Sequence, residues 1–172
     1  MKHVKKSMVE KETGTQSMKY GLLIISHIAM LVFGIGLGIY LLPILIQPTS
    51  PSQQAVASVM LAPSYQGEFS RDRADSDFLH WGEGKLVIDA QSIAFSGELA
   101  PGPDYKLYLS PTFIETEADF LANKERLVRV GDVKTFDRFI LPIPSDVDVA
   151  NYTTAIVWCE TFSQFITSAK YR

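Results

Sequence analysis

Hydrophobic and polar positions along the chain fall into two regimes. No charged side chain occurs between Lys19 and Glu68. Within that interval residues 21–46, GLLIISHIAMLVFGIGLGIYLLPILI, are almost continuously apolar, interrupted by Ser26, His27 and Tyr40. A soluble helix of this length with no polar face is improbable, whereas a bilayer core of roughly 30 Å needs about 20 helical residues. The pattern predicts a single transmembrane helix over 21–46, long enough to span with some tilt. Residues 47–66, with Pro48, Pro51, Pro63 and several Ser and Gln, read as a linker of limited order, from which 59–61 can dock on the C-terminal domain.

Beyond residue 67 the period changes to two. Leu86 and Ile88 share a face in 85–89; Ile93, Phe95 and Leu99 share one in 93–99, with Ser96 and Glu98 opposite; Tyr105, Leu107 and Leu109 repeat the pattern, with Lys106 and Ser110 opposite. Further strand-like runs cover 136–141, 152–160 and, less cleanly, 162–171. Gly82/Gly84, Pro101-Gly102-Pro103-Asp104, Gly131-Asp132 and Pro142-Ile143-Pro144 read as the turns between them. Only 116–127 has a helical signature, with Thr116 and Asp119 spaced as a capping box. The fold class expected is all-β: an antiparallel β-sandwich or barrel over 67–172, after one N-terminal transmembrane helix. No internal repeat is evident.

Charge supplies the orientation. Residues 1–20 carry Lys2, Lys5, Lys6, Lys11 and Lys19 against Glu10 and Glu12, and the distal flank of the apolar run carries no basic residue. The positive-inside rule places a basic N-terminus, 1–20, in the cytoplasm and 47–172 outside it. A cleaved signal peptide is the competing reading, since Ala55-Val56-Ala57 fits the small-x-small cleavage pattern. The apolar run is far longer than the usual signal core of about 7–15 residues, which favours a retained anchor. Gly34 and Gly38 form one G-x-x-x-G, the spacing through which two membrane helices pack closely; a homodimer through them stands beside the plainer reading that glycine is common in such helices. His27 likewise has an ordinary reading near the cytoplasmic end of the span.

The chain's net charge of −3 leaves no basic field for nucleic acid. The portion from Glu68 onward holds 11 basic and 17 acidic residues, a net of −6. Motifs for metalloprotease, serine hydrolase or nucleotide chemistry are absent from the sequence. Cys159 is the one cysteine, so an internal disulfide framework, a Cys-rich metal site and two-thiol haem attachment are excluded. No metal site is expected: Asp72, Asp75 and Asp77 lack the glycine and distal glutamate of a calcium loop and read as a solvated acidic turn. No cofactor can be assigned. On a regular strand Cys159 shares a face with Ala155 and Val157, which fits a small buried hydrophobe. A lone thiol outside the cytoplasm is also unusual enough to be a candidate for redox chemistry. The polar step Glu160-Thr161 suggests that the strand surfaces there, with the thiol at least partly reachable.

Four stretches resemble the electron transfer DM-thirteen family, the module of Skeletor-type proteins. His80-Trp81-Gly82-Glu83-Gly84 matches its H-x-G-x-G opening. Gly102-Pro103-Asp104-Tyr105-Lys106-Leu107-Tyr108-Leu109-Ser110 matches its G-P-D-L-x-V-Y-L-S, with Tyr105 and Leu107 in place of Leu and Val. Gly131 to Lys134 and Phe139 to Pro142 match its L-G-x-L-K and Y-x-L-P pieces. Tyr152, then Ile156-Val157-Trp158-Cys159, Phe162 and Ala169 match its closing strands. Thr135 to Phe139 departs from the Gln-Tyr that often precedes the Leu-Pro. The resemblance implies a DOMON-related extracytoplasmic β domain with a redox role centred on Cys159. His80, in the other matching motif, becomes a possible neighbour that could lower the thiol pKa; its alternative is a structural hydrogen bond at the Gly82–Gly84 turn. The partner, redox or protein, is unknown. A binding module with a structural Cys159 and with Trp81 and Tyr108 as contact surface remains the alternative function. A third, weaker reading is a metal-dependent enzyme that uses the acidic loop.

Overall fold

The computed structural model describes the backbone of residues 2–172, and the side chains of residue 16 and of residues 18–172. Contacts divide the chain into two units, Met1–Ile39 and Tyr40–Arg172. Helix α1, Lys2–Ile46, runs unbroken through the predicted span, with Pro43 inside its last turn. Its portion Met18–Ile46 is the one described helix long and apolar enough to cross a membrane. Its apolar side chains are almost all exposed, which is consistent with a membrane span. The side chains of Lys2, Lys5, Lys6 and Lys11, on which most of the charge asymmetry rests, lie outside the described residues.

Eight strands follow, in two antiparallel sheets of four. They are β1 Tyr65–Phe69, β2 Gly82–Ile88, β3 Ser92–Leu99, β4 Tyr105–Ser110, β5 Val128–Val133, β6 Arg138–Pro142, β7 Thr154–Cys159 and β8 Gln164–Lys170. One sheet has the order β1-β2-β3-β6 and the other β5-β4-β7-β8. The inward faces carry the period-two residues expected of them: Leu86, Ile88, Ile93, Phe95 and Leu99 meet Tyr105, Leu107, Leu109, Ala155 and Val157 in one core. The sandwich predicted by the alternation is therefore the fold observed.

The predicted linker differs. Ser52 caps a helix, α2 Gln53–Met60, by accepting a hydrogen bond from the Ala55 amide at 3.1 Å. Val56, Val59 and Met60, at helical spacing, pack on Val87 and Ala94 on the outer side of the first sheet. Leu61 stays exposed, and Tyr65 and Gln66 already belong to β1. The segment before α2 is also held: the Ser50 hydroxyl bonds the Asp137 carboxylate, and Arg138 Nε donates to the Pro51 carbonyl at 3.0 Å. Burial of an apolar helical stripe makes this stretch part of the domain rather than a free tether.

Two predicted turns lie inside strands. Gly131-Asp132 sits in β5, where the pairing slips between Leu107 and Tyr108 and leaves Val130 as the bulged residue. Gly82 and Gly84 sit in β2, opposite Leu99 and Gly97. Gly84 has φ +132°, and β-carbons at Gly84 and Gly97 would stand 3.1 and 2.9 Å from the Phe95 ring. The glycine pair thus makes room for that ring over bare backbone. The predicted helix is present as α3, Glu117–Asn123, with a following 3-10 turn, Lys124–Arg126. Thr116 Oγ1 accepts from the Asp119 amide at 3.1 Å and donates to its carboxylate at 2.8 Å.

β7 is buried on both faces, and that follows from α3. Its inner side chains enter the sandwich core, while Ile156 and Trp158 point out of it and are covered by Phe120 of α3 together with Ile114, Tyr108 and Phe165. The Trp158 and Phe120 rings stack at 3.8 Å and 5°. The same two-sided burial in β8 explains why 162–171 alternates poorly.

Candidate functional site

Cys159 ends β7 directly opposite Tyr105, the first residue of β4. The connection that brings the chain from β3 to β4, Pro101-Gly102-Pro103-Asp104, closes over this end. Two prolines fix its path, and Asp104 takes a left-handed φ of 58°, a conformation Asp tolerates better than most residues. The Cys159 thiol donates to the Pro103 carbonyl at 2.9 Å. The Asp104 carbonyl accepts from the Glu160 amide, and its carboxylate from the Thr161 hydroxyl, both at 3.2 Å.

The thiol is enclosed. Cys159 is 2% exposed and belongs to the core with Ala155 and Val157, the face the strand pattern assigns to it. The expectation of a partly reachable thiol is thereby corrected: the polar step Glu160-Thr161 does surface, but the Pro103 carbonyl covers the sulfur. Burial pushes the thiol pKa up. The Phe162 and Thr161 amides pull the other way, and the Asp104 and Glu160 carboxylates reinforce the rise. Cys159 is thus a protonated thiol at neutral pH, the reverse of an activated thiolate.

His80 is placed by a different turn. Its Nδ1 lies 3.0 Å from the Asp77 carboxylate, which also accepts from the Leu79 and His80 amides at 2.7 Å, and the Asp77 amide donates to the His80 carbonyl at 2.9 Å. The imidazole thereby orders residues 77–80, ahead of β2, and does not brace Gly82 and Gly84. Among the described residues no hydrogen bond joins His80 to Cys159. Asp75 of the same loop is spent structurally: its carboxylate accepts from the Glu117 amide at the start of α3 at 2.6 Å. No group of three or more His, Cys, Asp or Glu among the described residues is arranged to hold a metal.

A depression of about 570 Å³, lined by Trp81, Glu98, Leu99, Pro101, Phe136 and Asp137 with residues 47–50, opens on the same end of the sandwich. Its Phe136 meets Tyr105 edge-on at 6.0 Å and 85°. Tyr105 is the strand partner of Cys159, so Phe136 and Tyr105 connect this opening to the strand end that carries the thiol. Arg71 lies over the Trp81 ring at 3.2 Å and pairs with Glu83 at 2.8 Å. Tyr108, by contrast, is not contact surface. It is buried beside Phe120, and its hydroxyl donates to the Glu160 carboxylate. Sequence reasoning missed that pair, because 52 residues separate its members and only the β4–β7 register brings them together.

The titrations define a pH window. Burial holds the Tyr105, Tyr108 and Tyr171 phenols, like the thiol, above their ordinary values. Hydrogen bonds from Lys106 and Arg129 hold the Asp132 carboxyl below its own. Raised groups stabilise the fold below their unfolded pKa values, and that stabilisation is lost as pH climbs toward their folded ones. Lowered carboxyls act in reverse. Stability of the full chain should be flat between about pH 5 and 8, fall below about pH 4, and fall again above about pH 9–10. Urea midpoints across that range check this; a midpoint that keeps rising above pH 10 contradicts it.

The family model described as "Electron transfer DM13" matches residues 74–171, which takes in β2 to β8 and both His80 and Cys159. Searches of curated proteins and of solved structures found no match. With more than half of its length matched, the chain belongs to the electron transfer DM13 family.

Proposed function

We propose that this chain is a single-pass, membrane-anchored electron-transfer protein whose β-sandwich stands outside the cytoplasm, with Cys159 as its redox-active side chain. The family match carries the electron-transfer part. The apolar helix and the lysines before it support the anchor and the orientation. Burial of Cys159 is compatible with this role, because an electron can cross packed protein where a nucleophile needs contact with its substrate. The Phe136–Tyr105–Cys159 line then leads from the open depression to the sulfur. His80, in this reading, holds its loop against Asp77 and leaves the thiol protonated. Gly34 and Gly38, with open space where side chains would stand, suit close packing of two such helices.

A second reading has one observation in its favour. A thiol 2% exposed, with its pKa raised, is also what a purely structural cysteine looks like, and the domain would then be a binding module. Potentiometric titration separates the two. Membranes are poised at graded ambient potentials with soluble one-electron mediators, frozen, and read by electron paramagnetic resonance. A redox role predicts a sulfur-centred radical whose amount follows the potential and disappears on reduction, the thiol giving its electron to the mediator and its proton to solvent; no such radical at any potential favours the binding module. For the anchor, protease added to sealed spheroplasts should digest the β domain. Complete protection, or a soluble form that begins near residue 58, contradicts the topology.

A further inference from the structure

We propose that Tyr108 and Glu160 form a proton-coupled redox pair: a one-electron oxidant of the high-potential metal-complex class takes an electron from the Tyr108 ring while the phenolic proton moves to the Glu160 carboxylate. The inference rests on the electron-transfer reading and adds a second redox group to it. The step balances. The O–H bond of Tyr108 breaks, a new O–H bond forms on Glu160, the ring becomes a neutral phenoxyl, and the oxidant is reduced by one electron. Return of an electron from the same metal centre in its reduced form returns the proton to the phenol.

Three observations carry it. First, the Tyr108 hydroxyl donates to the Glu160 carboxylate, and among the described residues no other tyrosine hydroxyl donates to a carboxylate. An oxidised phenol is a very strong acid, so its proton must leave with the electron, and a fixed base lowers the barrier to that step. Second, Glu160 is backed by charge: Lys124 of the 3-10 turn lies 3.5 Å from it, and Arg129 of β5 and Asp104 of the β3–β4 connection also act on Tyr108. Arg129 in turn pairs with Asp132, which Lys106 holds at 3.0 Å, so the surround of the pair is ordered.

Third, the aromatic contacts give the electron vacancy one stable resting place. Tyr108 meets Phe120 edge-on at 5.2 Å, and Phe120 stacks on Trp158. Trp158 is oxidisable too, but its buried Nε1 has no hydrogen-bond partner. A vacancy there could not shed its proton, and that favours Tyr108. Tyr108 is buried while the Glu160 side chain is about a quarter exposed, so the pair sits just beneath the surface, within reach of a docked oxidant.

Flash photolysis of the full chain in detergent, with photogenerated tris(bipyridyl)ruthenium(III) as the probe oxidant, tests this. Phenoxyl absorption and electron paramagnetic resonance are the readouts. While exposed tyrosines such as Tyr20 and Tyr40 give only a slower, buffer-dependent signal, a fast phenoxyl phase independent of buffer concentration should form in the parent chain and in Tyr105→Phe and be lost from Tyr108→Phe. In Glu160→Gln its formation should slow about tenfold or more, the rate equivalent of the about 1.5–3 kcal/mol carried by a hydrogen bond to a charged group. It should also become dependent on buffer concentration, because the proton must then leave to solution. A fast, buffer-independent phase that survives Tyr108→Phe, or a Glu160→Gln rate equal to the parent's, overturns the pair. Cys159→Ser leaves both residues in place, so a phenoxyl that persists in it while the parent chain gives no Cys159 redox response overturns the thiol reading alone, and a Cys159 response in the parent chain with no phenoxyl overturns the pair alone.

Discussion

Trp158→Ala should destabilise the β domain by about 3–5 kcal/mol, a large share of the about 5–15 kcal/mol that holds an ordinary domain folded. Trp158 is fully buried and is the largest of the fully buried side chains. Its ring lies flat on Phe120, the only fully buried residue of α3, so truncation removes the surface on which that helix rests. Ile114, Ile156 and Phe165 around it belong to strands and loops fixed by their own hydrogen bonds, so the void cannot collapse cheaply. Trp158→Phe should cost far less. It keeps a ring against Phe120 and removes an indole N–H that has no partner. Urea unfolding of the full chain, read by pulse proteolysis, measures both variants. A Trp158→Ala chain within about 1 kcal/mol of the parent, an order-of-magnitude bound for surface changes, would mean that α3 does not depend on this stack.

The contrast between β7 and β5 shows what the sequence could and could not say. Thr154–Cys159 is a run of β-branched, apolar and aromatic residues with no breaker, and it folds as the strand it reads as. Val128–Val133 has the same β-branched character at its ends but contains Gly131-Asp132, a pair that reads as a turn. There the glycine follows a bulge instead, and Asp132 is held outward by Lys106 and Arg129. Local chemistry does not separate a turn from a bulge; the partner strand decides. α2 was legible in part, since Ser52 precedes apolar residues at helical spacing, but the prolines around it outweigh that signal.

The candidate site divides in the same way. The strand pattern assigns Cys159 to the inward face with Ala155 and Val157, and the structure agrees. Its depth was not legible, because the cover comes from Pro103, 56 residues earlier. The link to His80 was suggested by motifs and not by spacing. Asp77, three residues before His80, is the local partner that takes the imidazole. Glu160, next to Cys159 in the chain, opposes thiol activation as an adjacent negative charge must. Its bond to Tyr108 needed the strand register.

Electron transfer through Cys159 is measured most directly by protein-film voltammetry of the full chain beside Cys159→Ser and Cys159→Ala. Serine preserves the size of the side chain and its ability to donate to the Pro103 carbonyl, so the fold should survive. Alanine leaves that carbonyl without its donor and should cost about 1 kcal/mol. That loss is small enough for the film to remain folded, as urea midpoints will show. A reversible wave is expected in the parent chain and is absent from both folded variants. Its potential should shift negative by about 59 mV per pH unit for one proton and one electron, because the thiol is protonated when it gives up its electron. A wave of unchanged height in Cys159→Ser, or no wave in any of the three folded chains, rules out Cys159 as the redox group and leaves it as part of the core.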